Sequence, residues 1–575
     1  MRRSAGIHSI FSNGSTMTMV PLHRRHTRRL AACILLALAS TAQAQVRTPQ
    51  AGDLLNQLPP PPPPQKADDT GLRLPPAAPV STADSAPFHV GRIEVTGATL
   101  IPADELHALV ASGENQDLTL GQLNALAARI TEAYRARGYP LSMAYVPQQV
   151  LSGGTVRIAV QEARLGKVVL ENHSSTNDRV LDRTLDPLRG GAPITEHGLD
   201  RSLLLLGDVP GVTETSVLRP GEEPGTSDLA VRTDDRQRYT GIVALDDYGN
   251  RYTGRARATG TFSVNGLAHQ GDALDATAVT AGENMNYGRL AYRYLLNGQG
   301  TVVGAALSNL DYKLKGDLRA LDAHGTANVA SAWISHPFVR TTDGNLYGQL
   351  GFDRRRLDDD IDVVGIRTRR HTYAWTATVA GDRRDANGVT NFNVTATYGR
   401  LGFDDDFAEF VDLISARTKG RYLKYTLSVA RLQKLSENNA IYIGFQGQWA
   451  NRNIDTSEQF YLGGANNVRG YDTGALSGTQ GQMLNLEFRR TLNFGMTGTW
   501  VATAFADAGR ATIYKDRFAP GTNRAHMQDA GVGLRWQGDD QWSLAADVAH
   551  PIGARPEIVG ETHDWRAWVQ IQKGF

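Results

Sequence analysis

From Tyr239 to the C-terminus, apolar and polar residues alternate in segment after segment. Tyr373, Trp375, Ala377 and Val379 share one parity, as do Phe392, Val394, Ala396 and Tyr398. The same holds for Leu423, Tyr425, Leu427 and Val429, and for Trp542, Leu544, Ala546 and Val548. Lys424, Thr426, Gln446, Gln448, Asn485, Glu487, Ser543 and Asp547 fall on the opposite parities. A period of two places neighbouring side chains on opposite faces of a strand. This region therefore predicts many strands, each with one apolar face, and no helix is expected after Tyr239. A sandwich would turn those faces inward, whereas a membrane barrel turns them outward to lipid around a polar lumen. The last strand carries Ala567, Val569, Ile571, Lys573 and Phe575 on one parity, with Lys573 interrupting the apolar face.

Ahead of this region the period changes. Residues 88–163 predict a compact α/β module. Val90, Ile93 and Val95 mark a strand ending at Gly97, and Ile101 to Val110 a short amphipathic helix. Thr119-Leu-Gly-Gln122 has the form of a capping box, followed at helical spacing by Leu123, Leu126, Ile130 and Ala133. Gly138-Tyr139-Pro140 ends that helix, and strands follow at Ser142–Val146 and Val156–Val160. Residues 164–236 repeat the order β-α-α-β-β, with strands at Val168–Leu170, Thr213–Leu218 and Leu229–Val231. Their helices are expected near Asp178–Leu185 and Thr195–Leu206, closed by the turn Asp208-Val-Pro-Gly211.

The N-terminus predicts an exported protein. Arg24, Arg25, Arg28 and Arg29 precede an apolar run from Leu30 to Leu38, then Ser40-Thr-Ala42-Gln43-Ala44. This is the form of a signal peptide, residues 1–44, cleaved after Ala44 by an Ala42-x-Ala44 site. The long basic lead-in admits a true start at Met17 or Met19. Residues 45–87 follow as a short helix around Leu54, Leu55 and Leu58 and a linker opened by Pro59 to Pro64, semi-rigid where proline-rich. The signal peptide, the aromatic strand ends and the terminal Phe575 favour the barrel for 237–575.

Composition narrows the picture further. Charged residues make up 21%, hydrophobic ones 41%, and the mean hydropathy is −0.33. This excludes a multi-helix membrane protein but not a barrel, whose strands are half polar. The 59 Gly and 19 Tyr suit strands and turns. The net charge of +1 argues against a nucleic-acid partner. Removing the six arginines of residues 1–44 from 60 basic residues leaves 54 against 59 acidic ones, a net charge of −5. The single cysteine, Cys33, lies in the signal, so the processed chain forms no disulfide. Leu30-Ala-Ala-Cys33 has the look of a lipoprotein box, but the apolar run follows it rather than precedes it.

Between the alternating segments around Ile441–Trp449 and Leu484–Phe488 lies Phe460-Tyr-Leu-Gly-Gly-Ala-Asn-Asn-Val468-Arg469-Gly470-Tyr471. One reading is a surface loop in which Gly463, Gly464 and Gly470 supply turns. The other is a loop folded inward, because an arginine between Val468 and Tyr471 needs a charged partner. Asp507, in Phe505-Ala-Asp507-Ala-Gly509, is the candidate: it shares parity with Phe505 and Thr503 and should face the lumen.

The pair of motifs, VRGY and then FxDxG, resembles the outer-membrane transporters of two-partner secretion, the hemolysin-activator and filamentous haemagglutinin exporter family. Tyr134…Gly138-Tyr139 and Val146-Pro147-Gln148…Gly154…Val160-Gln-Glu162 resemble that family's polypeptide-transport-associated (POTRA) domain, with Ala163 where the family usually has Gly. Leu245-Asp246-Asp247-Tyr-Gly249 through Arg255, Gly271-Asp272 and Ser335-His336-Pro337-Phe338-Val339-Arg340 are similar to further family positions. The resemblance spans about 88–575. It implies a mostly β protein: a transmembrane antiparallel barrel of sixteen strands at 237–575 behind two POTRA domains, at 88–163 and 164–236. It implies export of a large partner exoprotein, a hemolysin or adhesin, caught by the periplasmic POTRA domains through strand addition. Val468, Arg469, Gly470 and Tyr471 would form an inward loop, with Phe505, Asp507 and Gly509 as its partners on the wall. Phe575 would be the signal read by periplasmic chaperones and the barrel-assembly machinery, and the barrel would meet lipid and lipopolysaccharide. In that family a helix placed like 45–58 plugs the pore. The alternative implied by the shared loop is an insertase that assembles other barrels; an ordinary porin or outer-membrane enzyme leaves 88–236 unexplained.

No Gly-x-Ser-x-Gly, His-Glu-x-x-His or phosphate loop is present. Gly531-Val-Gly533-Leu-Arg-Trp lies in a strand pattern and is not a dinucleotide fingerprint. Asp358, Asp359, Asp360, Asp362 and Asp404 to Asp406 lack calcium-loop spacing and read as solvated or lipopolysaccharide-facing loops. The expectation is therefore a non-enzyme with no cofactor, no metal and no catalytic residue.

Overall fold

A computed structural model describes residues 48–59, 66–73, 85–150, 153–223, 225–495, 497–560 and 563–575. The signal peptide with Ala42 and Ala44, and Cys33, lie outside the described residues.

A six-residue helix, α1 (Ala51–Asn56), comes first, and a two-residue strand, β1 (Leu72–Arg73), follows in the linker. The first module holds β2 (Phe88–Val90), β3 (Arg92–Thr96), α2 (Ala103–Val110), β4 (Gln116–Leu118), α3 (Leu120–Ala136), β5 (Met143–Tyr145) and β6 (Thr155–Gln161). The one strand expected across Val90–Val95 is broken at Gly91, whose N–H turns to the Gly154 carbonyl at 2.7 Å. β2 consequently pairs with β4, while β3 pairs with β6. The α3 capping box forms: Thr119 Oγ1 accepts the Gln122 N–H at 3.3 Å, and Gln122 Oε1 accepts the Thr119 N–H at 2.8 Å. Leu123, Ile130 and Tyr134 on its buried face close over Ile93, Leu106 and Ile158.

The second module repeats the order with β7 (Arg164–Asn172), α4 (Asp178–Leu185), α5 (Glu196–Gly207), β8 (Val212–Pro220) and β9 (Thr226–Asp235). Its sheet order is β1-β8-β9-β7, so the linker supplies an added parallel strand beside β8. Leu181, Leu185, Leu203, Leu206, Val212 and Leu229 form its core.

From Tyr239 the chain forms a closed antiparallel barrel of 16 strands. The first, Tyr239–Asp246, meets the last, Arg566–Gly574. Gly241 and Phe575 exchange N–H···O bonds of 2.9 and 3.0 Å across the seam. The apolar parity faces outward: Trp375 and Leu307 are 62% and 68% exposed, while Asp507 and Thr503 on the other parity are buried. Phe575 ends the closing strand at the end nearest the modules. Gly531 and Gly533 lie inside the strand Arg524–Gln537, as the alternation requires.

One expectation is overturned. Between the strands Gly388–Phe403 and Gly420–Lys434 lies a helix, α6 (Asp406–Ile414). Asp405 caps it by accepting the Ala408 N–H at 2.8 Å, and Asp406 and Glu409 in its first turn suit the helix dipole. The acids read from the sequence as a solvated loop are the start of this helix.

Candidate functional site: the inward loop and the occupied lumen

The connection after the strand Asn439–Ala450 folds into the barrel rather than over its rim. Its stem is a short antiparallel pair, Phe460–Leu462 with Leu476–Gly478. Gly463 (φ +95°) and Gly464 (φ +124°) open the tip, conformations that favour glycine. Asn467 ties the turn: its Oδ1 accepts the Val468 N–H at 2.9 Å, and its Nδ2 donates to the Tyr461 carbonyl at 3.0 Å.

The tip delivers Arg469 to the wall. Its Nε and Nη2 donate to the two oxygens of Asp507 at 2.7 and 2.9 Å, a bidentate pair. Nη1 donates to Glu487 Oε1 at 2.7 Å. The guanidinium carbon stands 3.4 Å over the Phe505 ring. The Arg469 carbonyl accepts the Trp568 Nε1–H at 2.7 Å, and the Gly470 N–H donates to Asp529 at 2.6 Å. Each part of FxDxG thus touches the loop: Phe505 by its face, Asp507 by charge, Gly509 by size. A Cβ on Gly509 would lie 2.7 Å from Leu462 and 3.0 Å from Val468. Val468 and Tyr471 are buried with Met483 and Met527.

Glu487, Asn485, Asp529 and Trp568 complete the site, and none was singled out as a partner from the sequence. Glu487 and Asn485 stood on the polar parity of their strand, the one signal available. Asn485 Nδ2 donates to Asp507 at 2.7 Å and to the Asn467 carbonyl at 2.8 Å, bracing wall and loop together.

The lumen also holds α1. The Ala51 N–H donates to Asp359 at 2.8 Å, and Arg370 donates to Gln50 at 2.9 Å while pairing with Asp455 at 2.8 Å. Asn56 donates to the Thr456 carbonyl at 3.0 Å at the base of the inward loop, and Asn250 donates to Gln57 at 2.9 Å. Ala51 and Leu54 are buried against Tyr312, Ala327 and Leu357 on the wall. Only Gly fits at position 52, where a Cβ would lie 2.5 Å from the Ser457 nitrogen. The acidic run is divided by the pleat: Asp359 points inward to α1, whereas Asp358 and Asp360 lie outside beside Arg369 and Arg367. Among the described residues no acid or histidine cluster has metal-binding geometry.

At the other end of the barrel, two separate sequence features meet. Arg340, closing Ser335-His336-Pro337-Phe338-Val339-Arg340, donates bidentately to Asp208 at 2.8 and 2.8 Å. Asp208 opens the turn Asp208-Val-Pro-Gly211 of the second module and also accepts the Ala67 N–H at 2.8 Å. In the first module, Glu162 accepts the N–H groups of Thr99 and Leu100 at 2.6 and 2.7 Å and the Tyr134 hydroxyl at 2.8 Å. Burial pushes the Glu162 carboxyl up, but these hydrogen bonds outweigh it and hold the group below the usual range.

Residues 88–163 match the POTRA domain, ShlB-type, and residues 225–535 match the haemolysin secretion/activation protein ShlB/FhaC/HecB family. The heme/hemopexin transporter protein HuxB of Haemophilus influenzae is 28% identical, the alignment covering 83% of this chain and 85% of that protein. The outer membrane transporter CdiB of Dickeya dadantii is 24% identical, over 82% and 85% of the two chains. The hemolysin transporter protein ShlB of Serratia marcescens is 25% identical, over 84% and 86%. Among solved structures, CdiB from Escherichia coli superposes with a TM-score of 0.68 at 20% identity, covering 97% of this chain and 100% of that one. BamA from Haemophilus ducreyi lacking POTRA domains 1–3 gives 0.52 at 13% identity, covering 85% and 100%. The last two likenesses concern the fold.

Proposed function

Because this chain belongs to the haemolysin secretion/activation protein ShlB/FhaC/HecB family, we infer that it is the outer-membrane transporter of a two-partner secretion system. It carries a partner exoprotein across the outer membrane from POTRA domains in the periplasm. The observation that carries this reading is the occupied lumen: a closed 16-strand barrel holds α1 on one side and the Arg469 loop on the other. A barrel filled by two separable pieces of its own chain is a conduit kept shut, and a conduit is what export needs.

The cargo is a large secreted protein of the hemolysin or adhesin kind. A relative named for hemolysin transport supports this class. Cargo strands would add to free sheet edges of the POTRA domains. β5 and β7 are outer strands of their sheets, whereas the free side of β8 is taken by β1. The loop held by Asp507 and Glu487 would fix the barrel's shape, and α1 would leave the lumen to open it. No nucleotide motif occurs in the sequence, so folding of the cargo outside would make its retreat unfavourable and drive transport. We read the chain as a transporter without catalytic or cofactor chemistry, assembled through periplasmic chaperones and the barrel machinery and embedded in lipid and lipopolysaccharide.

The test is deletion of this gene, with the culture medium and the outer membrane compared. Loss of one large secreted protein with unchanged barrel content supports export. A general fall in outer-membrane barrels would instead show an insertase.

A further inference from the structure

The outer wall of the barrel is uneven. The strand Ile366–Asp385 runs to 20 residues, about twice the 9–11 that cross the hydrocarbon. Its surplus stands on the side away from the POTRA domains, the outer leaflet side. Strand register arranges the outward side chains there in rows. In one row Phe352 is opposite Trp375, Trp375 opposite Tyr398, and Tyr398 opposite Leu423. Phe352 and Trp375 lie 4.9 Å apart between ring centroids. Such a run of aromatics marks the membrane interface.

The next row outward is cationic. Arg354 is opposite Tyr373, Tyr373 opposite Arg400, and Arg400 opposite Arg421. All three arginines are exposed. None of them has a carboxylate within ion-pair distance among the described residues. Among the described residues Arg356, two residues beyond Arg354 on the same face, reaches only Asp358, at 3.9 Å. Like charges directly opposite on a sheet are unfavourable. Arg400 and Arg421 keep that arrangement at the level where phosphate headgroups lie.

A groove of about 690 Å³ adjoins this row. Gly288 and Ala330 keep it open, the exposed Leu290 and Leu307 line it, and Arg354 and Arg356 stand at its head. Apolar at membrane depth and cationic at its rim, it matches a molecule with an acyl chain below and a phosphate above.

We propose that Arg354, Arg356, Arg400 and Arg421 form a binding site for the phosphates of an outer-leaflet glycolipid, one of whose acyl chains occupies the groove at Leu290 and Leu307. The site would seat the tall side of the barrel in the outer leaflet. The proposal rests on the outer-membrane reading above, with the long strands on the outer side.

The experiment uses the full-length protein purified in detergent. Binding of hexa-acyl, bis-phosphorylated lipid A, of the same lipid A without phosphates, and of sodium phosphate alone is followed by native mass spectrometry. The wild-type protein should hold the bis-phosphorylated lipid about tenfold more tightly than the dephosphorylated one, and sodium phosphate should not displace it. R354Q/R356Q and R400Q/R421Q should each lose most of that preference, the lysine versions should recover much of it, and R238Q, at the periplasmic end, should leave it unchanged. Equal retention of the two lipids, displacement by sodium phosphate, or a preference untouched by both glutamine pairs would overturn the site. Heat-dependent gel mobility, read on every variant, reports separately on the barrel. Its absence in the wild type contradicts the outer-membrane reading; loss of lipid preference in the wild type with mobility intact contradicts the glycolipid site alone.

Discussion

Arg469 and Asp507 are 38 residues apart in sequence and 2.7 Å apart in space, both almost fully withdrawn from solvent. Neither charge is tolerable there alone. Arg469→Ala leaves Asp507 without its cation and Glu487 with Arg489 alone, a local cost of about 3–5 kcal/mol by analogy with broken buried pairs. The variant should assemble its barrel but lose most secretion. Asp507→Ala should resemble it, and the double variant should be little worse than either single, because coupled residues are not additive. Secretion assays against outer-membrane levels of the transporter decide this; a double loss equal to the sum of the singles contradicts the pairing.

Gly509→Val tests the same loop without touching a charge. Its Cβ would enter the space of Leu462 and Val468, so the tip must shift off the wall. Secretion should fall several-fold while heat-dependent gel mobility persists. Full secretion by this variant would show that the loop tolerates displacement.

Removing Ala51–Asn56 should raise the resting conductance of the barrel in planar bilayers, since α1 fills lumen between the wall and the inward loop. D359N, which weakens the bond to the Ala51 N–H together with the contacts of Asp359 to Arg370 and the Tyr312 hydroxyl, should give flickering between low and high levels. Equal conductance of the deleted and intact proteins would show that α1 does not obstruct the pore.

The second POTRA domain should be more stable in mild acid than in mild base. Burial pushes the Glu214 carboxyl up to about 7 from 4.5, with the nearby Asp208 and Asp69 adding and Arg236 opposing. Below about 4.5 the carboxyl is protonated both folded and unfolded, so this stabilising contribution is fully present. As pH rises from 4.5 to 7 the unfolded chain releases a proton that the folded one keeps, and stability declines, on the order of 3 kcal/mol in all. Above 7 the loss is complete. Denaturation of a soluble fragment, 66–236, at pH 5 and pH 8 measures it. E214Q should remove the difference; an unchanged pH dependence in E214Q would assign it elsewhere.

Much of this was legible in the chain because it is written locally. Period-two alternation places Asp507 with Phe505 on the lumen side, and the capping residue Thr119 marks where α3 begins. What stayed hidden depends on closure and docking. Asp529 and Trp568 reach the loop only because the barrel's register brings their strands beside Gly470 and Arg469. Arg340 and Asp208 both lay in noticed motifs, yet nothing in the sequence says that a domain turn will dock on a strand end. The helix α6 escaped because nine residues opening on acids carry too short an apolar period to stand out from a loop.

The most direct test of export through this barrel is a photo-crosslinking residue placed at Asn393, an exposed lumen-side position on the strand Gly388–Phe403, with Leu307 on the lipid side as the control. In cells secreting the partner, illumination should give one large adduct with that exoprotein at position 393 and none at 307. Adducts at 393 with nascent outer-membrane barrels instead, or exoprotein adducts equal at the two positions, would contradict the account.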